Sequence, residues 1–214
     1  MPRASLGRDL ALLVAGAALY GGVLGSWSGA RLAGYAAVKL PLVLLATCAF
    51  TLAANALVAT LLGEPEVARR SLRLTVGAMA VAALLLASLT PVAALFHLSL
   101  PRPSPEARTT HNLLYLMHTG FVGGCGLAGA WRLRRALAAA CRKPENARRL
   151  FAAWVITLAL VGGEVAWVLR PFVGSVYEPV AFLRDDALDG NVYEFVWSDV
   201  APHLLTGRPP AEEE

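Results

Sequence analysis

Apolar residues in this chain run in long blocks, and the ionisable positions that punctuate them are widely spaced. No Asp, Glu, Lys or Arg falls between Asp9 and Arg31, Lys39 and Glu64, Arg73 and Arg102, or Arg108 and Arg132. The stretch between Arg149 and Arg170 holds a single one, Glu164. Each block has about the 20 residues that a helix rising ~1.5 Å per residue needs to cross a ~30 Å hydrocarbon layer. Lipid offers the backbone no hydrogen-bond partner, so runs of this length close their own bonds as helices. The period-two pattern of a membrane barrel is missing. The pattern therefore predicts an all-α, polytopic transmembrane helix bundle over residues 1–174, with five spans near 10–30, 40–63, 74–101, 109–131 and 150–170. An acidic, aromatic-containing extramembrane tail, 175–214, follows, with a short interfacial segment and a disordered end at Pro209–Glu214.

Details sharpen the boundaries. Arg3 and Arg8 precede the first apolar run as they would in a secretory signal, but the run is long for one and reads as a retained span. Lys39-Leu40-Pro41 suits a helix opening, because proline is tolerated in a first turn, which leaves 30–39 as a short interfacial helix. Pro91 inside the third block predicts a kink or an end there.

Composition agrees. Hydrophobic residues make up 57% and charged residues 16%, against roughly 25% charge in a soluble domain. An ordinary soluble enzyme, a disordered chain and a disulfide scaffold are excluded. The three cysteines, Cys48, Cys125 and Cys141, form neither a framework nor a zinc spacing and read as small buried hydrophobes.

Charge sets the orientation. Twelve basic residues fall on the side of the N-terminus and the 64–73 and 132–149 connections, and seven on the other. The positive-inside rule then makes the N-terminus cytoplasmic and the C-terminus external, in a bacterial-type cytoplasmic membrane. Residues 1–170 carry 17 basic and 6 acidic residues, whereas 171–214 carry 2 and 9, so the protein presents two opposed fields. The positive charge lies beside membrane spans, which points to anionic lipids at the 132–149 loop and not to nucleic acid. That loop, broken at Pro144, either lies on the inner leaflet or is simply solvated.

Glu164 is the first candidate for chemistry, since a carboxylate within a span costs at least ~2.5 kcal/mol on insertion scales and must face protein or water. It lies too far from Arg170 for a same-face pair, so its partners are sought on other helices: His111, His118, or the Thr47/Thr51/Asn55 row. His111, Tyr115 and His118 share a face of the fourth span, but the histidines stand about 10 Å apart along it and cannot share one metal. Both stripes read first as interhelical hydrogen bonding. Gly21, Gly25 and Gly29, and likewise Gly120 and Gly124, are spaced for close helix contact, either within the bundle, which is favoured, or between copies.

In the tail, Trp167-Val168-Leu169-Arg170-Pro171-Phe172-Val173-Gly174 ends the last helix after an interfacial Trp and Arg. Tyr177, Phe182, Tyr193, Phe195 and Trp197 then recur among acids, and Val192, Phe195, Val196 and Val200 recur at helical spacing; the stretch reads as a short interfacial helix or, from its aromatics, as a partner-docking surface. Asp185, Asp189 and Gly190 mimic part of a calcium loop, but Ala187 and Val196 occupy ligand positions. Gly25-Ser26-Trp27-Ser28-Gly29 puts Trp where a nucleophile elbow needs Ser, and no phosphate loop, zinc-protease motif or dinucleotide fingerprint is present. No catalytic, cofactor-binding or metal site is expected.

The Trp167, Leu169, Arg170, Pro171, Phe172, Gly174 pattern resembles that of a group of uncharacterised bacterial multi-pass membrane proteins with a W-x-L-R-P-F-x-G motif. Tyr20-Gly21 with Gly25, Lys39-Leu40-Pro41-Leu42 with Thr47, Pro91, and Phe182-Leu183-Arg184 are similar to that group as well, so the likeness spans about residues 17–197. The five-span layout is distantly similar to Yip1-type proteins, whose eukaryotic members associate with trafficking GTPases. Their acidic signature motif is not evident in this chain, so GTPase binding is not carried over. The resemblance implies a membrane protein and supplies no catalytic residue. The expected role is a non-enzymatic accessory or scaffold subunit of a membrane assembly, with a membrane-protein partner or a second copy of the chain. The alternative is a small transporter or channel centred on Glu164.

Overall fold

The computed structural model describes residues 5–101, 104, 108–174, 180–195 and 197–198, and among them there is no strand. Seven helices follow one another: α1 Leu6–Ser26, α2 Ala30–Leu61, α3 Pro65–Arg69, α4 Ser71–Ser99, α5 Arg108–Ala140, α6 Pro144–Val168 and the four-residue α7 Val192–Phe195. Five of these, α1, α2, α4, α5 and α6, are long and apolar enough to cross a membrane, so the chain is an all-α polytopic bundle. Its surface supports that reading. Phe50, Leu57, Leu61, Leu95, Leu116 and Leu127 are all exposed, side chains that water would penalise and acyl chains would not.

Helix boundaries depart from the charge gaps for local reasons. Ser5 caps α1 by accepting the Arg8 amide at 3.2 Å. The turn into α2 is made by Gly29 at φ 110°, a conformation other residues avoid, so Gly29 serves the turn and not a helix seam. α2 then runs unbroken through Lys39 and Pro41, where a separate interfacial helix 30–39 was expected. Lys39, Leu40, Pro41 and Val43 are all buried against neighbours, and that packing holds the helix through the rung the proline removes. α4 likewise continues past Pro91 to Ser99. α5 extends beyond its apolar run to Ala140, carrying Arg132, Arg134 and Arg135.

α1 packs along both α2 and α4, α4 along α5, and α2 along α6. The α1–α2 seam is close because side chains are missing from it: a Cβ on Gly21 would overlap the backbone of Ala36, and one on Gly25 that of Leu32. Gly16 plays the same part against Ala83 of α4. Gly120 and Gly124 do not. Both are exposed, with nothing within contact distance of an added Cβ, and the α5–α4 approach is made by Gly129 against Ala78. The expected packing role of Gly120 and Gly124 inside the bundle is therefore corrected: their face of α5 turns outward.

Apolar side chains gather in three clusters. One, built on Tyr20, Leu24, Trp27, Leu86 and Leu114, lies toward the end of the bundle where α6 finishes, and takes in Val173 from the segment beyond it. A second, around Leu133, Leu137, Leu150 and Trp154, lies at the α5–α6 turn. Leu13, Cys48, Val76 and Ala80 form the third. The two ends of the bundle are called here the strap end and the turn end.

Candidate functional site

Polar side chains inside the bundle concentrate at the strap end. Tyr20 on α1 is fully buried, and its hydroxyl lies 2.7 Å from Nδ1 of His118 on α5, itself 3% exposed. Nε2 of His118 lies 2.9 Å from Nε2 of His97 on α4, with the rings edge to face. Nδ1 of His97 lies 2.9 Å from Oγ of Ser26, one helical turn and a half beyond Tyr20. The directions of these bonds follow from the last member. Ser26 has one hydroxyl proton and donates it to the Val23 carbonyl at 2.7 Å, so it accepts from His97 Nδ1–H. A neutral His97 then has a bare Nε2, which accepts from His118 Nε2–H, and the bare Nδ1 of His118 accepts from the Tyr20 hydroxyl. Four residues on three helices thus form one directed chain from a fully buried phenol to an exposed serine.

Above this chain, residues 171–174 cross the end of the bundle as a strap. Three side chains from three helices or their ends donate to its carbonyls: Lys39 Nζ to Pro171 at 3.0 Å, Ser28 Oγ to Val173 at 2.7 Å, and His111 Nε2 to Gly174 at 2.9 Å. Lys39 is fully buried, and its ammonium faces the rings of Phe172 and Phe182 at 5.8 and 5.2 Å. Aromatic faces and a carbonyl replace the water this charge has left. Phe182 in turn stands edge-on to Tyr35, which accepts from Arg31.

The remaining tail is folded onto the same end. Arg170 stacks 3.8 Å over the Trp167 ring and binds both the carbonyl and the carboxylate of Asp186. Arg184 holds both carboxylate oxygens of Asp186, at 2.7 and 3.0 Å. The Arg184 hydrogen bond, with the charges of Arg184 and Arg170, keeps the Asp186 carboxyl below the usual carboxylate range. Glu164 accepts the Val192 amide at 3.4 Å, while the Tyr193 hydroxyl donates to the Leu160 carbonyl. Together these bring α7 back against the flank of α6.

At the turn end a second carboxylate is fixed. Glu64, 2% exposed, accepts the Arg142 amide at 3.1 Å on each oxygen and the Asn146 side chain at 2.9 Å. Asn146 also donates to the Leu62 carbonyl. These donors, the Asn146 amide first, hold the Glu64 pKa below its ordinary value.

The sequence-named residues are thus dispersed. His118 enters the chain with Tyr20 and His97, His111 holds the strap, Glu164 meets α7, Arg170 meets Asp186, and Asn55 lies apart on α2. Its carbonyl accepts from Trp154 Nε1 at 3.1 Å, while its buried side-chain amide makes no hydrogen bond among the described residues. The expected approach of Glu164 to His111, His118 or the Asn55 row does not occur among the described residues. Thr47 and Thr51 bond the carbonyls one turn back on their own helix instead of crossing to another. Tyr115 is exposed. Sequence reasoning missed Tyr20, His97, Lys39 and Glu64. The signal for three of them was a polar residue within or bounding an apolar block, and for Glu64 its place beside Pro65 in a short connection. Among the described residues no group of three or more His, Cys, Asp or Glu is arranged to hold a metal ion.

No family model matches the chain, and comparison with curated proteins and with solved structures gives no match.

Proposed function

We propose that this membrane protein is a non-enzymatic accessory or scaffold subunit of a membrane assembly, set in a bacterial-type cytoplasmic membrane with the strap end outside. The observation that carries the reading is the strap itself. Three donors from separate parts of the bundle fix three of the four carbonyls of one short segment, and the tail beyond it is pinned at Asp186 and at α7. On this fixed base Leu183, Leu188, Tyr193 and Trp197 remain exposed, Leu188 and Trp197 at 81% each. A rigid cap with outward apolar anchors suits docking of a partner, since ordering costs are met before binding. The test is co-purification from cross-linked membranes with and without residues 175–214. Loss of a membrane partner on truncation supports the reading; recovery of every partner with the truncated chain overturns the cap's share in it.

A second reading, a small transporter or channel, is favoured by one observation, the hydrogen-bonded chain of Tyr20, His118, His97 and Ser26. It places exchangeable protons at the strap end and moves the centre of that reading away from Glu164. Proton flux in liposomes that persists after His97→Phe with His118→Phe would remove it.

A further inference from the structure

At the turn end, α5 and α6 diverge from a three-residue connection, and a cleft of about 530 Å³ opens between them. The faces that line it follow from helical spacing. Arg134, Cys141 and Arg142 descend one side of α5 and its end, and Ala147, Arg148 and Phe151 ascend one side of α6. The cleft is lined by two chemistries, exposed arginines and less exposed apolar side chains. Its rim is three guanidiniums, none of which has a carboxylate within ion-pair distance among the described residues. Arg134 is steadied by the Trp131 ring, 5.3 Å away. Glu64, an acid whose charge reaches Arg142, already engages both oxygens with the Arg142 amide and Asn146. Its wall is apolar, Ala147 and Phe151, and it lies where α6 passes from Arg148 and Arg149 into an uncharged run beginning at Leu150.

We propose that this cleft binds the phosphate headgroup of an anionic phospholipid, in the leaflet that the turn end faces. A phosphodiester presents paired oxygens that match the guanidinium fork, and only a lipid also brings acyl carbons to the level of Phe151. The charge count places that leaflet inside, where anionic lipid is concentrated. The inference stands apart from the docking role of the cap, at the opposite end of the bundle.

Cys141 in the cleft is the reporter. The full chain is placed in phosphatidylcholine nanodiscs, with or without phosphatidylglycerol, and the N-ethylmaleimide labelling of Cys141 is followed by peptide mass. Cys48 and Cys125 are buried within spans and report on intactness. Phosphatidylglycerol is expected to slow Cys141 labelling several-fold, and each guanidinium removed to weaken that protection about fivefold. Arg134→Gln with Arg148→Gln therefore abolishes it, whereas Arg132→Gln with Arg135→Gln, the same charge taken from outside the cleft, leaves it in place. Equal labelling in both discs overturns the proposal. So does equal loss in the two double variants, which would assign the effect to loop charge at large, and so does equal protection by millimolar inorganic phosphate in phosphatidylcholine discs, which would assign the site to a free anion. Should the cleft variant fail to fold, native mass spectrometry of the wild-type chain decides: retained phosphatidylglycerol displaced by neither phosphate nor phosphatidylcholine is expected, and its absence refutes the site.

Discussion

Tyr20→Phe is the sharpest perturbation of the hydrogen-bonded chain, because it removes one oxygen and leaves the ring packing intact. Tyr20 is fully buried and His118 is 3% exposed, so the freed Nδ1 of His118 has no water to turn to. A buried acceptor left without its donor costs ~1–3 kcal/mol, whereas side-chain bonds between membrane helices average only ~0.6 kcal/mol, since the unfolded chain in lipid finds other partners. The Tyr20 bond should exceed that average, because the tautomer of His118 is fixed by its second bond to His97 and cannot flip to donate elsewhere. We expect Tyr20→Phe to destabilise the bundle by about 1–2 kcal/mol in reversible unfolding in mixed micelles. His118→Phe should cost more, since it strands the Tyr20 hydroxyl and the His97 acceptor together. The double variant should then lose less than the two singles summed, by about 1 kcal/mol, as expected of groups sharing one network. Additive losses, or a Tyr20→Phe effect within about 0.3 kcal/mol of zero, would show that the chain is not a coupled unit.

Gly21→Val should open the α1–α2 seam and cost at least ~1–3 kcal/mol in the same unfolding assay, while Gly120→Ala and Gly124→Ala should stay within about 0.5 kcal/mol of wild type. Glu164→Ala should release α7 and speed proteolysis of residues 180–195 while leaving bundle unfolding unchanged; an unaltered cleavage rate would remove Glu164 from the anchoring of the tail. The Glu64 clamp should be pH-dependent. Its folded-state pKa is depressed, so its contribution is complete above the ordinary carboxylate range and disappears as pH falls through that range toward the folded value. The protection factor of the Arg142 amide, its exchange rate relative to the intrinsic rate at each pH, should therefore fall on acidification, and Glu64→Gln should show the lowered protection already at neutral pH. Cys141, whose thiol is pushed up by burial and by Glu64 beside it, should label more slowly than an ordinary thiol at neutral pH and faster in Glu64→Gln.

The fold was legible because bilayer thickness acts on every residue of a span at once, so composition over about 20 positions is enough to find it. Helix ends were less legible because they were inferred from charge, and charge is not always at a boundary. Lys39 shows why: its ammonium is fully buried, yet held by a carbonyl and two rings that come from residues 171–182. No local pattern announces such a partner. The same limit hid the histidine chain. His97 and His118 stand 21 residues apart on separate helices, and their meeting depends on how α4 packs on α5. His111 and His118, conspicuous together in sequence, serve different structures. Gly21 and Gly120 show the converse, identical spacing with opposite environments, since a small-residue row says that a close approach is allowed and not that one is made.

What the polar groups bond to bears on which functional reading the bundle favours. Thr47, Thr51, Thr60, Thr119 and Thr157 each return to a carbonyl of their own helix. At the strap end Lys39, Ser28 and His111 donate to backbone carbonyls, and at the turn end Glu64 accepts from a backbone amide. These groups satisfy the main chain where it leaves the helices, the place where a membrane protein has most unpaired backbone to satisfy. A permeation path needs the opposite, polar side chains left over along a continuous line for a passing solute, and among the described residues Asn55 on α2 and Thr75 and Thr90 on α4 do keep buried polar atoms without a hydrogen bond. Among the described residues only the Tyr20 to Ser26 chain joins side chains across helices in that manner, and it stops at Tyr20 within the strap half. The side chains that fix both end segments are the ground for the proposed reading, in which those ends are the working surfaces.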